Sequence, residues 1–172
     1  MSDDTPRRIV LVRHAKADSS FENGHERSLI ERGRKEAPMA GRWLAGSGIA
    51  PALALCSTAT QARETWKLVV SELPRRPKTV YEERLYDASA TELIGVLTEV
   101  SDAVNDLILV GHNPGLHGLA EALPGAADGD LLDRVRRGGF PTATLAVITF
   151  SGPWRSLGSG AGRLVAYWTP NA

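Results

Sequence analysis

Short apolar runs alternate along the chain with segments that have one apolar face. Four runs are rich in aliphatic and β-branched residues, which is typical of strands buried in a parallel sheet: Arg8–Val12, Leu53–Cys56, Thr79–Tyr81 and Asp106–Val110. One helix is predicted after each of these strands: Glu31–Ala45, a helix capped by Ser57 or Thr58 that runs to about Leu73, Thr91–Val100, and a helix that opens near Pro114 and runs to about Leu123. This alternation predicts an α/β fold with a mostly parallel sheet.

The last third of the chain departs from this alternation. Pro124–Asp130 is rich in Gly, Ala and Asp, and we predict a loop there. Thr144–Phe150 and Arg163–Trp168 have strand patterns with no clear helix between them, so we expect a hairpin and an antiparallel strand at one edge of the sheet. No repeat, linker or low-complexity tract divides the chain, and residues 1–172 are expected to form a single domain.

Composition narrows the classes of partner. Apolar residues make up 42% and charged residues 23% of the 172 residues, as in ordinary globular proteins. The 20 Lys and Arg residues balance the 20 Asp and Glu residues, so the net charge is zero. We therefore expect no general attraction to nucleic acid or to an anionic membrane. Any preference for an anionic ligand must come from a local cluster of cations.

Cysteine content and hydropathy limit the chemistry and the location further. The single cysteine, Cys56, excludes a disulfide within the chain and a four-cysteine zinc site. No metal site and no cofactor are predicted. Met1–Arg8 is polar, and no apolar segment approaches the roughly 18 residues of a membrane span. These features predict a cytoplasmic protein that does not cross a membrane.

Polar residues of related chemistry follow three of the predicted strands. Arg13 and His14 follow the first strand, Ser57 follows the second with Arg63 in the helix beyond it, and His112 follows the fourth. Because the carboxyl ends of parallel strands meet at one edge of a sheet, we expect these side chains to converge. Arginine binds phosphate oxygens through paired hydrogen bonds, and imidazole can attack phosphorus. The pattern predicts a site for phosphoryl chemistry without a metal.

Each of these residues also has a simpler interpretation when it is taken alone. His14 has the alternative of a hydrogen-bonded core histidine, Arg63 that of a solvated helix residue, and Ser57 that of a helix cap. Lys16 and Asn113 are further candidates for contact with the ligand, with a solvated lysine and a helix cap as the alternatives. Two more histidines lack a partner at metal-ligand spacing and are expected in surface or packing positions: His25 and His117.

Three motifs together resemble the signatures of the histidine phosphatase superfamily, which has the phosphoglycerate-mutase-like fold: Leu11-Val12-Arg13-His14, Ser57 with Ala62-Arg63-Glu64-Thr65, and Val110-Gly111-His112-Asn113-Pro114. The segment Arg27–Gly33 is similar to the Arg-Pro-Leu-Thr-x-x-Gly stretch of its short SixA-type branch, whose members are phosphohistidine phosphatases. The resemblance covers most of the chain, with Ala15 where glycine is usual. It implies a three-layer α/β sandwich with helices on both faces of the sheet.

The resemblance implies a role for each matched residue. His14 is the expected nucleophile, which takes the phosphoryl group as a covalent phosphohistidine. Arg13 and Arg63 are expected to clamp the phosphoryl oxygens, and His112 to donate a hydrogen bond to the same group. Physical chemistry agrees, because phosphoryl transfer needs mainly in-line positioning and charge neutralisation. His14 must be unprotonated on the attacking nitrogen and His112 must donate, so the two histidines need opposite tuning.

The general acid is the family feature that this chain matches least closely. Many members of the superfamily carry it as a glutamate in the loop after the third strand. Asp87 lies nearest the expected place, and Glu83 is the second candidate. A solvated loop carboxylate is the simpler interpretation of each. An alkyl phosphate needs an acid to protonate the departing oxygen, whereas the imidazole of a phosphohistidine can leave already protonated.

The predicted function is therefore that of a metal-independent phosphatase of the SixA type, which acts on phosphohistidine in a phosphorylated protein. The 172 residues leave little chain for a lid, and an open pocket suits a phosphoryl group on a protein surface. Two alternatives stay open at this point. One is a phosphatase of the same superfamily for small phosphoesters, and the other is a non-catalytic module that binds phosphoryl groups.

Overall fold

A seven-stranded sheet forms the centre of the molecule. The computed structural model describes residues 4–171. The strands are β1 (Pro6–Arg13), β2 (Leu53–Cys56), β3 (Lys78–Tyr81), β4 (Asp106–Gly111), β5 (Pro124–Ala127), β6 (Leu145–Ser151) and β7 (Gly162–Trp168). The α-helices are α1 (Glu31–Gly46), α2 (Thr60–Val70), α3 (Ala90–Leu97), α4 (Gly115–Ala122) and α5 (Leu131–Gly138), and short 3-10 helices cover Gly24–Glu26, Glu83–Leu85 and Trp154–Ser156. Within residues 4–171, no helix combines the length and the apolar content that a membrane crossing requires.

The sheet is almost entirely parallel. Its strand order is β3-β2-β4-β1-β6-β7-β5. β1, β2, β3 and β4 pair in parallel, whereas β6 pairs antiparallel with both β1 and β7. β5 pairs in parallel with β7, so β6 alone among the described strands runs against the others. The predicted α/β fold, with a mostly parallel sheet that includes an antiparallel strand, is confirmed.

The end of the chain extends the sheet further than the sequence indicated. The hairpin of β6 and β7 lies inside the sheet, and β5 forms the edge beyond it. The prediction of a loop over Pro124–Asp130 is therefore wrong for its first four residues. Small side chains give β5 no hydrophobic pattern, and pairing with β7 imposes the extended backbone. Proline is tolerated because it is the first residue of an edge strand.

Alternation of side chains along β1 explains its unbroken apolar run. Ile9 and Leu11 face one side of the sheet and pack in a core with α3, α4 and α5. Val10 and Val12 face the other side and pack in a core with α1 and α2. All four side chains are fully buried. Helices thus cover both faces of the sheet, which confirms the predicted three layers.

Backbone hydrogen bonds bring the carboxyl ends of β1, β2 and β4 together. Arg13 at the end of β1 pairs with Gly111 at the end of β4. The amide of His14 donates to the carbonyl of Gly111 at 3.0 Å, and the amide of Ser57 donates to the carbonyl of Val110 at 3.0 Å. The three loops that carry the motifs therefore begin side by side.

The loop that follows His14 packs directly on α1 through a glycine. A Cβ atom at Gly33 would lie 2.2 Å from the carbonyl oxygen of Lys16, far closer than real Cβ atoms approach. The same carbonyl accepts a hydrogen bond from the amide of Ile30 at 3.1 Å. Gly33 is therefore needed for the close approach of helix and loop.

We expect Gly33→Ala to lower the free energy of unfolding by about 1–3 kcal/mol, because the added methyl group displaces the backbone of Lys16 and not a flexible side chain. Urea unfolding followed by circular dichroism measures this change. Gly46→Ala is the matched control, since it lies in the same helix and nothing lies within 4 Å of its Cβ position. Equal losses of stability in the two variants would contradict the packing argument.

Candidate active site

His14 follows β1 directly and is buried, with 6% of its surface exposed. Its Nδ1 atom lies 2.8 Å from the carbonyl oxygen of Ala15. A carbonyl oxygen can only accept a hydrogen bond, so Nδ1 carries the proton and donates it. The Nε2 atom of His14 is then the nitrogen with a free lone pair.

The surroundings of His14 also set its charge. Burial lowers the pKa of His14 to about 3, against the opposing effect of the hydrogen bond to Ala15. The charges of His112, Arg13 and Arg27 lower this pKa further. The imidazole is therefore neutral at physiological pH. A neutral imidazole with a free Nε2 lone pair is a nucleophile.

Arg13 is anchored by the backbone that follows α5. Its Nη1 atom donates to the carbonyl of Phe140 at 3.2 Å, and Nδ2 of Asn113 donates to the same carbonyl at 2.8 Å. Gly139, with a φ of 68°, supplies the turn before Phe140. The buried Nε of Arg13 has no hydrogen-bond partner among the described residues. Arg13 thus keeps donors for an anion, whereas the amide of Asn113 is committed to holding Phe140.

His112 follows β4 and contacts Ser57, the first residue after β2. Its Nε2 atom and the Ser57 hydroxyl share a hydrogen bond of 2.8 Å. The Ser57 hydroxyl also accepts from the amide of Ala59 at 3.2 Å. α2 begins only at Thr60 and has no side-chain cap, so the predicted cap by Ser57 or Thr58 is wrong. Ser57 is fully buried and orients the His112 ring instead.

The pKa of His112 shifts in the same direction as that of His14. Burial lowers it to about 4, Asp87 opposes this shift, and Arg13 and His25 add to it. Both histidines are therefore neutral at pH 7, and burial alone does not provide the opposite tuning that the expected mechanism needs. A dianionic phosphoryl group beside His112 would raise its pKa and favour the protonated, donating form.

Four rings lie next to one another at the site. The ring centres of His14 and His112 are 5.1 Å apart, those of His112 and Tyr86 are 5.1 Å apart, and those of Tyr86 and His25 are 4.9 Å apart. Nε2 of His25 lies 2.9 Å from the hydroxyl oxygen of Thr58. His25, which was expected in a surface or packing position, therefore belongs to the wall of the site. No motif could indicate this, because tertiary contacts alone bring its loop to Tyr86.

Arg27 is a site residue to which the sequence assigned no role. Its Nε and Nη2 atoms donate to the carbonyls of Asp18 and Ala17 at 2.7 and 3.3 Å, which fixes the guanidinium in the loop after His14. Its positive charge lowers the pKa of His14, and it lowers the pKa of Arg13 after the larger effect of burial. The similarity of the segment from Arg27 onward to the SixA-type branch was the one signal in the sequence.

Arg63 does not join this cluster, contrary to the prediction. α2 turns Thr65 toward the site, where its hydroxyl accepts from the amide of Ala15 at 2.9 Å, and the buried Gln61 lies one turn earlier on the same face. Arg63 is two residues from Gln61 and two from Thr65, which places it about 200° around the helix axis from each of them. Its side chain is exposed, with the guanidinium 5.8 Å from the ring centre of Tyr81. Helical geometry therefore directs Arg63 away from His14.

The remaining candidates lie at the margin of the site. Lys16 is exposed, and its backbone is the part that packs on α1. Asp87 is exposed, has a φ of 55°, and acts on His112 through its charge. Glu83 is exposed in the 3-10 helix before it. Of the two candidate acids, Asp87 is the one whose charge reaches the ring cluster.

The arrangement as a whole is suited to an anionic, electrophilic group. Two guanidinium groups and two neutral imidazoles gather at the ends of β1 and β4, and one imidazole has a free nitrogen lone pair. Within residues 4–171, no group of three or more His, Cys, Asp or Glu side chains is placed to hold a metal ion. Such a site can bind a phosphoryl dianion and accept it on nitrogen.

The sequence profile of the histidine phosphatase superfamily (branch 1) matches residues 9–138. The chain therefore belongs to this superfamily, and it is a phosphatase. An uncharacterized protein of Mycobacterium tuberculosis (strain H37Rv) is 37% identical over 164 residues, which covers 92% of this chain and 99% of that protein. An uncharacterized protein of Mycobacterium leprae is 37% identical over 167 residues, with the same coverage.

Solved structures of SixA proteins have the same fold. A candidate phosphohistidine phosphatase SixA from Agrobacterium tumefaciens is 30% identical with a TM-score of 0.80, and the match covers 96% of this chain and 99% of that one. Another candidate SixA, from Nakamurella multipartitia, is 26% identical with a TM-score of 0.82 over 99% and 100% of the two chains. The resemblance to the SixA-type branch that the motifs indicated is confirmed.

We expect the protein to lose stability as the pH falls from about 6.5 toward 4, because the unfolded chain then binds protons that buried His14 and His112 exclude. Each histidine contributes a slope of up to about 1.4 kcal/mol per pH unit in this range. Urea unfolding at several pH values measures the slope. A His14→Asn/His112→Asn variant should have a shallower slope, and an unchanged slope would contradict the burial of these groups.

We expect Arg27→Ala to lower kcat/KM for an aryl phosphate by on the order of 10²-fold, because the phosphoryl group loses a cation next to His14. Arg63→Ala is the matched control and should leave this value essentially unchanged, since its guanidinium points away from the site. Steady-state kinetics measures both. A large loss in Arg63→Ala with none in Arg27→Ala would restore the assignment made from the sequence motif.

Proposed function

We propose that this protein removes phosphoryl groups from phosphohistidine side chains of other proteins. Nε2 of His14 attacks phosphorus, the P–N bond to the substrate ring breaks, and a covalent phosphohistidine forms on His14. The substrate ring, protonated on its other nitrogen, leaves as a neutral imidazole. Water then attacks phosphorus, His14 leaves with its original lone pair, and inorganic phosphate keeps both protons of the water molecule.

The hydrogen bond from His14 to the Ala15 carbonyl is the observation that carries this proposal. Nδ1 lies 2.8 Å from the carbonyl oxygen, so it carries the proton. The lone pair of Nε2 is therefore free. The low pKa of His14, about 3, keeps the ring neutral and ready to attack. The phosphorylated ring is positively charged, and the same carbonyl stabilises that charge.

Arg13 and Arg27 neutralise the negative charge of the phosphoryl group in this mechanism. Both are cations beside His14, and both are held through backbone carbonyls so that little reorganisation is needed on binding. His112 donates to the phosphoryl group once the bound dianion has raised its pKa. Ser57 holds the His112 ring in place for this contact.

Two observations support a phosphohistidine on a protein as the substrate. The connections after β2 and β4 cover only residues 57–59 and 112–114, so neither forms a roof over His14. The one candidate acid that acts on the cluster, Asp87, is exposed, and a leaving imidazole does not need it. The similarity to SixA structures agrees with this substrate class. A cytoplasmic location and the lack of nucleic-acid partners stay predictions from the sequence.

The proposal is tested by comparing a phosphohistidine peptide with an aryl and an alkyl phosphate ester, with released phosphate as the readout. We expect kcat/KM to be highest for the phosphohistidine peptide and lowest for the alkyl ester, because only the alkoxide leaving group requires an acid. Chelator should not alter the rates. Rapid quenching should trap a phosphoenzyme that is stable to alkali and labile to acid, as expected of phosphohistidine.

His14→Ala is the decisive variant. It should lower turnover of all three substrates on the order of 10³-fold or more and abolish the trapped phosphoenzyme, with an unchanged circular dichroism spectrum. Retained turnover in this variant would remove His14 as the nucleophile. Faster turnover of the alkyl ester than of the peptide would favour a small-molecule phosphatase with Asp87 as its acid. Phosphate binding without any turnover would identify a binding module.

A further inference from the structure

A basic groove lies on the outer side of α2 and takes no part in the proposed chemistry. We call it the α2 groove. It has a volume of about 540 Å³ and is formed by α2, the loop before β3 and the end of β3. The residues that matter here are Arg63, Glu64, Trp66, Lys67, Arg76 and Tyr81.

The positive charges of the α2 groove are not neutralised within the protein. Arg63, Lys67 and Arg76 are exposed, and they form no ion pair with any acidic side chain that the structure describes. The one carboxylate in the lining, that of Glu64, accepts a hydrogen bond from the amide of Leu29 at 2.8 Å. Three cations therefore face the groove against a single carboxylate that is already engaged.

A neighbouring arginine shows how a surface groove of this protein can be neutralised from within. Arg84 lies in a groove at β3 together with Glu82 and Glu99, and its guanidinium contacts their carboxylates at 2.8 and 2.9 Å. That groove is internally neutralised. Because the whole chain has no net charge, an anionic partner can be attracted only by local groups such as those of the α2 groove.

The α2 groove also offers apolar surface. Tyr81 is 51% exposed at the end of β3, with the Arg63 guanidinium over its ring. Trp66 is buried beneath, and its indole nitrogen donates to the hydroxyl of Thr79 at 3.1 Å. Cationic head groups around an aromatic ring suit a peptide that has both carboxylates and side-chain carbon atoms, more than they suit a small free ion.

The groove lies close enough to His14 for one substrate to reach both. α2 separates them, since Thr65 on one face of the helix binds the Ala15 amide and Lys67 on the other face lines the groove. A helix with its side chains is about 10 Å across. An extended chain advances about 3.3 Å per residue, so about three to five residues bridge the distance.

We infer that the α2 groove binds an acidic, extended segment of the phosphorylated protein whose phosphohistidine enters the site at His14. This inference rests on the proposed function and adds to it the kind of partner. The acidic side chains of the segment pair with Lys67, Arg76 and Arg63. Charge complementarity selects this occupant, because the groove has three unpaired cations and its single carboxylate, that of Glu64, is already engaged by the amide of Leu29.

Two phosphohistidine peptides of equal length test the inference, one with Asp and Glu at about three to five residues from the phosphohistidine and the other with Asn and Gln at the same positions. The wild-type protein should have about 10-fold higher kcat/KM for the acidic peptide at low ionic strength, chiefly through KM. Added salt should reduce the preference, because exposed charges are screened.

Arg76→Glu should abolish most of this preference and leave turnover of an aryl phosphate unchanged. Arg136→Glu is the matched control, since Arg136 is an exposed arginine of α5 on the opposite face of the sheet, and it should keep the preference. Equal kcat/KM for the two peptides, or a preference that survives Arg76→Glu, would overturn the docking inference and leave the proposed function intact. Hydrolysis of the aryl phosphate but of neither peptide would overturn both.

Discussion

The imidazole of His14 can act as a nucleophile only when Nε2 lacks a proton, and one hydrogen bond decides which nitrogen carries it. Nδ1 donates to the carbonyl of the next residue, Ala15, at 2.8 Å. The backbone of Ala15 is in turn anchored, because its amide donates to the hydroxyl of Thr65 on α2. Burial then keeps the ring neutral. The reactivity of the site thus depends on a backbone contact between neighbouring residues that α2 holds in place.

The rest of the site depends on how the sheet brings its strand ends together. The His14 amide binds the carbonyl of Gly111, so the loops after β1 and β4 begin in contact, and their two histidine rings lie 5.1 Å apart. The long connection from β1 to α1 then returns past the site and delivers His25 and Arg27. A rigid parallel sheet supplies the register, and one loop supplies the groups that the strand ends lack.

Arg63 shows that the role a sequence motif predicts for a residue can differ from the position that the fold gives it. Arg63 stands inside a stretch that resembles a family signature, yet its position two residues from Thr65 puts it on the outer face of α2. The inward position belongs to Gln61, whose amide nitrogen donates to the carbonyl of Gly24. Arg27 is the second cation, beside Arg13, that acts on His14. A phosphoryl clamp can therefore come from a loop when the helix presents a neutral side chain.

The sequence by itself determined the parallel α/β architecture, because apolar runs such as Ile9–Val12 have no polar positions for a solvent-exposed face and must be covered on both sides of the sheet. It also determined that Arg13, His14 and His112 meet, since they follow strands whose carboxyl ends share one edge. Only the tertiary structure decided the strand at Pro124–Ala127, which pairing with β7 imposes on small residues, and the membership of His25 and Arg27 in the site. Those features arise from contacts between distant segments, and no local periodicity or motif records such contacts.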